Sequence, residues 1–289
     1  VTLGYLERLA ARSEAIGTVL CLGIDPDVEA LPAGFSRDLA GIERFAHLLV
    51  ETCAPLAAAV KPNLAFFEAY GSPGLAALER IRAGIPAEIP VVADGKRGDI
   101  GSTAAKQAVA LFDLLGADAV TVNPYLGSEA VTPLMERLDR FAYLLCRTSN
   151  PGASELQGLM VGPDGPWPAE PLYARVARRA QSWGPGGTVG LVVGATAPDE
   201  LERIRAVAPG LAFLVPGVGA QGGAVEPVLR AGPATAPPAG GGSGGGLLVN
   251  VSRGIAEAAR ATAGDGLGDP AERLARAAAD WAARLPVLR

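Results

Sequence analysis

Ile89-Pro-Val-Val-Ala-Asp-Gly-Lys-Arg-Gly-Asp-Ile-Gly-Ser-Thr103 runs from an apolar stretch, through a charged turn, to the start of a helix. The apolar residues up to Asp94 read as a strand covered on both faces, as strands of parallel sheets are. Ser102 and Thr103 mark the entrance of the helix that follows. Similar apolar runs recur at 18–25, 57–61, 119–123, 142–146, 188–194, 212–216 and 247–251. Between them, segments such as 38–56 and 103–115 carry helical periodicity. Eight strand–helix units in 289 residues predict an α/β fold, a single (β/α)8 TIM barrel spanning 1–289. A doubly wound open sheet is the competing arrangement. In a barrel, the site lies at the C-terminal ends of the strands, where this stretch carries its charges.

Basic residues are rationed in a telling way. Of 25, only Lys61, Lys96 and Lys106 are lysine, and the first two stand at predicted strand ends. An ammonium is a compact charge that can give up a proton, whereas a guanidinium keeps its own. Two residues apart on an extended strand, Asp94 and Lys96 would point the same way. Asp25 ends the first strand, Lys61 the second, and Asp99 follows three residues after Lys96. The reading gathers Asp25, Lys61, Asp94 and Lys96 at one mouth, with Asp99 nearby. Such proximity would keep the lysines protonated and the aspartates ionised. A purely structural ion-pair network at the barrel rim is the alternative.

A second constellation follows strands seven and eight. Pro216-Gly-Val-Gly-Ala-Gln221-Gly222 is a glycine-rich turn, and Ser252-Arg253 follows the last strand. These two loops of a TIM barrel frequently hold a phosphate on backbone N–H groups, and Arg253 could add a charge-assisted clamp. Residues 149–171, rich in Gly and Pro, follow strand five on the same face and are expected to cover or shape the site. The low-complexity stretch 231–246 precedes strand eight and is expected to be a flexible Gly/Pro-rich loop on the opposite face.

Composition excludes several classes. A net charge of −5 argues against a general nucleic-acid binder. No apolar run approaches the ~18 residues of a membrane span, and the first residues lack a signal-peptide pattern. Cys21, Cys53 and Cys146 lie in apolar segments without a Cys-x-x-Cys pair, as buried thiols of a reducing compartment do; a cytoplasmic location is expected. His47 is the sole histidine and falls between Glu43 and Glu51 at helical spacing. It rules out a multi-histidine metal site, so lysine and carboxylates must carry any chemistry.

Asp94-x-Lys96-x-x-Asp99-Ile100-x-x-Thr103 resembles the signature of the orotidine 5′-phosphate decarboxylase family. Gly23-Ile-Asp25, Val60-Lys61-Pro62, Thr148-Ser149-Asn150-Pro151-Gly152, the Pro216–Gly222 turn and Ser252-Arg253 extend the resemblance in order along most of the chain. The Lys61-Pro62-Asn63 and Ser149-Asn150-Pro151-Gly152 forms are similar to the longer bacterial branch. The resemblance implies decarboxylation of orotidine 5′-monophosphate to UMP, in pyrimidine biosynthesis, without metal or cofactor. It implies that Lys96 donates the proton, within a network completed by Lys61, Asp94 and Asp99. Asp25 and Lys61 would contact the ribose, and Ser149 the pyrimidine edge. Gln221 and Arg253, beside Ser252, would grip the phosphate. Asp99, Ile100 and Thr103 would enter the neighbouring subunit's site in a homodimer with shared active sites. Two other readings stay open. Magnesium-dependent sugar-phosphate decarboxylases and synthases of the same superfamily share the Asp-x-Lys-x-x-Asp core, but typically carry Glu where Ala93 stands. A non-catalytic nucleotide-binding relative would keep only the phosphate cradle.

Overall fold

Eight parallel strands form the body of the protein, and each overlaps one of the apolar runs, although the third starts at Val92 and continues past the predicted end at Asp94 to Arg97. The computed structural model describes residues 3–260 and 269–288. The strands are β1 (Leu20–Ile24), β2 (Ala59–Pro62), β3 (Val92–Arg97), β4 (Ala119–Val122), β5 (Phe141–Arg147), β6 (Val189–Val193), β7 (Ala212–Val215) and β8 (Leu248–Val251). Hydrogen-bonded pairing runs β2–β1–β8–β7–β6–β5–β4–β3. The remaining seam, between β2 and β3, is closed by two isolated parallel bridges, Val60 to Val91 and Asn63 to Asp94. Pro62 offers no N–H to a ladder, which accounts for the thin pairing along this edge. The barrel therefore closes at the strand ends that carry Lys61 and Asp94.

Burial is divided between two apolar clusters. The larger lies between the strands and the surrounding helices, among them Leu39–Cys53 and Pro270–Arg284. The smaller fills the barrel interior, with Cys21, Ala58, Val92, Ala119, Phe141, Tyr143 and Leu248. The three cysteines are free and buried. Burial pushes the thiols of Cys21 and Cys53 up to about 12, so both are held as neutral thiols at physiological pH.

The lower end of the barrel is plugged by helix α1 (Tyr5–Ile16), which sequence reading did not place there. Tyr5 stacks on Phe141 with ring centroids 4.8 Å apart, and its hydroxyl lies 3.1 Å from that of Tyr143. Leu9 joins the same inner cluster. Arg8 reaches Asp118, whose other oxygen accepts the Val91 N–H at 2.8 Å.

The 231–246 stretch also lies at this end, but it is folded against the barrel. The Ala239 N–H donates to Gly210 O and that of Ala234 to Gly245 O. Gly246 has φ of +64°, and a Cβ there would stand 2.8 Å from the Ala212 side chain. The run of small residues thus serves close approach. Arg205 anchors this layer from the helix Pro198–Val207. Its guanidinium is buried against the Phe213 ring and donates to five carbonyls, those of Ala208, Pro209, Leu211, Ala231 and Gly232. Burial lowers its pKa, to about 9, leaving the charge in place at neutral pH. Replacing Arg205 with Ala should lower the unfolding free energy by about 3 kcal/mol, because several buried carbonyls lose their donor. Urea denaturation at pH 7 measures this, and turnover per folded molecule should stay close to the parent value.

Candidate active site

The seam between β2 and β3 builds the charged side of the site. Asp94 is buried at the end of the apolar part of β3, and its two oxygens take different partners. Oδ2 accepts from Lys61 Nζ at 2.6 Å. Oδ1 accepts from Lys96 Nζ at 2.7 Å and from the Thr121 hydroxyl at 2.8 Å. Burial works against the ionised carboxyl, but Lys61 and Lys96 together outweigh it and hold the Asp94 pKa well below the usual carboxylate range. For Lys61, burial alone would lower the pKa; Asp94 and then Asp25 reverse the sign and raise it above the ordinary lysine value. Two ammoniums thus share one fixed carboxylate.

Strand periodicity does not put Lys96 beside Asp94. Ala93 pairs with Val120 and Arg97 with Val122, so residues 94–96 stand opposite Thr121 alone. This is a bulge, which re-aims side chains next to a site. Lys96 takes φ of +48°, the one non-glycine residue with positive φ among the described residues. A left-handed lysine carries strain of order 1–3 kcal/mol. Sequence reading put the two side chains on one face, and so does the structure, through the bulge rather than through alternation.

Asp25, Lys61, Asp94, Lys96, Ser149, Gln221, Ser252 and Arg253 line one cavity of about 450 Å³ at the C-terminal ends of the strands. Its walls also include Asn63 and Thr148, which stand in the quoted motifs without an assigned role, then Thr121, Gln157 and Asn250, which lie outside them, and Leu145, Val192 and Leu214. Oδ1 of both Asp25 and Asn250 is buried and, among the described residues, without a hydrogen-bond partner, two acceptors available to a bound molecule. Ser149 sits in a braced turn. Gln157 accepts the Thr148 N–H at 2.9 Å and donates to its hydroxyl at 2.8 Å. Arg147, paired with Glu200, donates to the Thr148 carbonyl at 2.5 Å.

The two glycine-bearing loops meet opposite the lysines, and Trp281 supports both. Its indole N–H donates to Gly254 O at 3.1 Å. Gly219, with φ of +73°, lies so close that a Cβ would stand 2.9 Å from the Trp281 ring. Arg253 and Gln221 are exposed at this end. The cavity is therefore polar at both ends, with an ammonium–carboxylate cluster on one side and a cationic, glycine-lined cradle on the other.

Asp99, Ile100 and Thr103 do not line this cavity. The Asp99 carboxylate accepts the Ile100 N–H at 2.7 Å, Ile100 is 58% exposed, and Thr103 borders a separate groove with Lys106 and Gln107.

Residues 18–264, from the start of β1 to beyond β8, match the model of the orotidine 5′-phosphate decarboxylase / HUMPS family. The chain belongs to this family. A similar relative is the orotidine 5′-phosphate decarboxylase of Thermomicrobium roseum, 48% identical over 273 residues, which cover 90% of this chain and 92% of that one. The orotidine 5′-phosphate decarboxylase of Herpetosiphon aurantiacus is 41% identical over 94% of this chain and 96% of its own. Among solved structures, the OMP decarboxylase of Leishmania donovani superposes with a TM-score of 0.79 at 39% identity, covering 97% of this chain and 96% of that one. The UMP synthase of the same organism gives 0.81 at 42% identity, over 98% of this chain and 56% of that one. Membership of the decarboxylase family thus rests on the whole barrel and not on the Asp94–Thr103 motif alone.

The Asp94 cluster has a definite pH signature. Asp94 has a folded pKa below its ordinary 3.8, so its contribution to stability is complete above that value and is lost as pH falls below it. Lys61 has a raised pKa, so its contribution is complete below its ordinary 10.5 and is lost as pH rises through the higher folded value. Between about pH 5 and 9 neither limb falls. Asp94→Asn should therefore cost about 3–5 kcal/mol across that window, since it leaves Lys61 buried without its main partner. Denaturant titrations from pH 7 downward should show the gap to the parent protein closing below pH 3.8.

Proposed function

We propose that this chain decarboxylates orotidine 5′-monophosphate to UMP, a step of pyrimidine biosynthesis, without metal or cofactor and with Lys96 as proton donor. The observation that carries the reading is the Lys96 ammonium, fixed 2.7 Å from a buried, doubly paired Asp94 in a cavity that also holds a cationic cradle. In this reading Arg253, Gln221 and the backbone of the two glycine loops hold the phosphate. Asp25 and Lys61 accept and donate at the ribose, and Ser149 faces the pyrimidine edge. The 6-carboxylate then lies beside Asp94 and Lys96. The bond from C6 to the carboxylate breaks, its electron pair stays on C6, and CO2 leaves. No neighbouring carbonyl can take up this charge, so the preorganised ammonium of Lys96 stabilises it. Nζ–H gives its proton to C6, the new C–H bond forms, and Lys96 is reprotonated from solvent. Phosphate contacts far from C6 favour closure, so that binding energy is expressed in the transition state.

The assembly in this reading is a homodimer with shared sites. Thr103 and the exposed Leu114 border one groove, with exposed Ile100 nearby in the chain, and in this reading a second copy of the chain covers that groove. Asp99 would then join the partner's Lys61–Asp94–Lys96 cluster. A cytoplasmic location accords with three free, buried thiols; among the described residues no helix is long and apolar enough to cross a membrane. Nucleic acid is not an expected partner at this net charge.

Loss of orotidine 5′-monophosphate absorbance in excess EDTA tests the reaction and its independence of metal together. Turnover is expected to persist; its absence from folded protein would turn the assignment toward a magnesium-dependent sugar-phosphate enzyme or a binding protein. Lys96→Ala should abolish turnover while melting stays cooperative. Mixed dimers of Lys96→Ala and Asp99→Ala chains should recover about a quarter to a half of parental activity per dimer, since one intact site can assemble. No recovery in verified heterodimers would count against shared sites.

A further inference from the structure

Thr121 is the single β4 residue opposite the three-residue bulge of β3, and it is 2% exposed. Its hydroxyl makes two bonds of opposite sense. Oγ1 accepts the Lys96 backbone N–H at 3.0 Å and donates its proton to Asp94 Oδ1 at 2.8 Å. A hydroxyl has one proton to give and lone pairs to accept with, and here both capacities are directed at the two residues that matter most. In a regular parallel ladder a strand N–H finds a carbonyl of the neighbouring strand. At the bulge the Lys96 N–H finds a side chain instead. The apolar neighbours Val120 and Val122 have no group that could do this.

We propose that Thr121 is a positioning residue for the decarboxylation. Its hydroxyl secures the left-handed backbone of Lys96 and orients Asp94 Oδ1, so that the ammonium is held where C6 will stand. The inference rests on the decarboxylase reading of the cavity. Lys96 occupies a strained conformation, and strain persists only where surrounding contacts over-determine it. Removing the hydroxyl leaves the Lys96 N–H unpaired and Asp94 with one donor fewer. The backbone can then relax toward an extended or right-handed state, which carries Nζ away from the Asp94 carboxylate. A displacement of this kind acts on the reacting geometry and leaves the phosphate cradle, in the loops after β7 and β8, untouched.

Steady-state kinetics of Thr121→Val, Thr121→Ala and Thr121→Ser test this. Val keeps the shape and removes the hydroxyl. Ala and Ser both lack the methyl and differ only in the hydroxyl, which keeps the comparison valid should Val fold poorly. Val and Ala are expected to lose about tenfold or more in kcat, with KM within about threefold of parent, and Ser to recover most of the loss. Near-parental kcat in folded Val or Ala would overturn the proposal, as would a Ser variant no better than Ala. So would a lowered melting temperature with kcat per folded molecule unchanged, the mark of a merely structural hydroxyl. Parent protein that fails to turn over orotidine 5′-monophosphate would sink the decarboxylase reading itself, an outcome distinct from active parent with indifferent variants.

Discussion

The carboxylate of Asp94, shared between two ammoniums, is the constraint around which the catalytic end is arranged. A buried aspartate is costly unless several donors converge on it, and Lys61, Lys96 and Thr121 supply them. That demand explains the local backbone. Lys61 and Asp94 meet because the barrel closes between β2 and β3. Lys96 meets Asp94 because β3 bulges against β4 and a lysine accepts a left-handed conformation. Each element is unremarkable alone, and together they convert strand register into a charge arrangement with little freedom.

The two ends of the barrel solve different problems with different materials. Below, α1, the small-residue stretch 231–246 and the Arg205 guanidinium seal the interior with stacked rings, close backbone approach and carbonyl acceptors. Above, loops after β5, β7 and β8 supply residues that line the cavity, and they are held by groups outside it. Trp281 supports both glycine-bearing loops from the last helix, and the Arg147–Glu200 pair fixes the turn before Ser149. Loops that carry chemistry are in this way supported by rigid elements, as precise sites require.

All eight strands were legible because a strand covered on both faces must be apolar throughout, and comparable apolar runs such as 64–67 and 108–112 belong to helices instead. The residues lining the cavity were legible where polar groups interrupt such runs at their C-terminal ends, as at Asp25, Lys61 and Asp94. Three features escaped. Helix α1 is amphipathic like many surface helices, and nothing local tells that its Tyr5 enters the barrel. Residues 231–246 have the composition of a loose linker, yet the same small side chains permit tight packing, and composition does not separate the two. Thr121 was hidden as a β-branched residue in a strand, a place where threonine is ordinary. Its importance depends on a register shift in the adjacent strand, a long-range property. Asp99, Ile100 and Thr103 share the sequence motif of Asp94 and Lys96 but not their cavity, since the helix start carries them to the outer face.

The near-absence of lysine has a practical corollary once burial is known. Lys61 is 4% exposed, leaving Lys96 and Lys106 as the side-chain amines open to solvent. Reagents that acylate amines therefore have few nitrogens to find on this protein, and one of the two belongs to the cavity. Ligand occupancy should be visible as protection of a single nitrogen, without a probe being introduced. The same scarcity makes amine coupling a poor choice for attaching the protein to a surface, because one of its handles lies in the cavity, paired with Asp94.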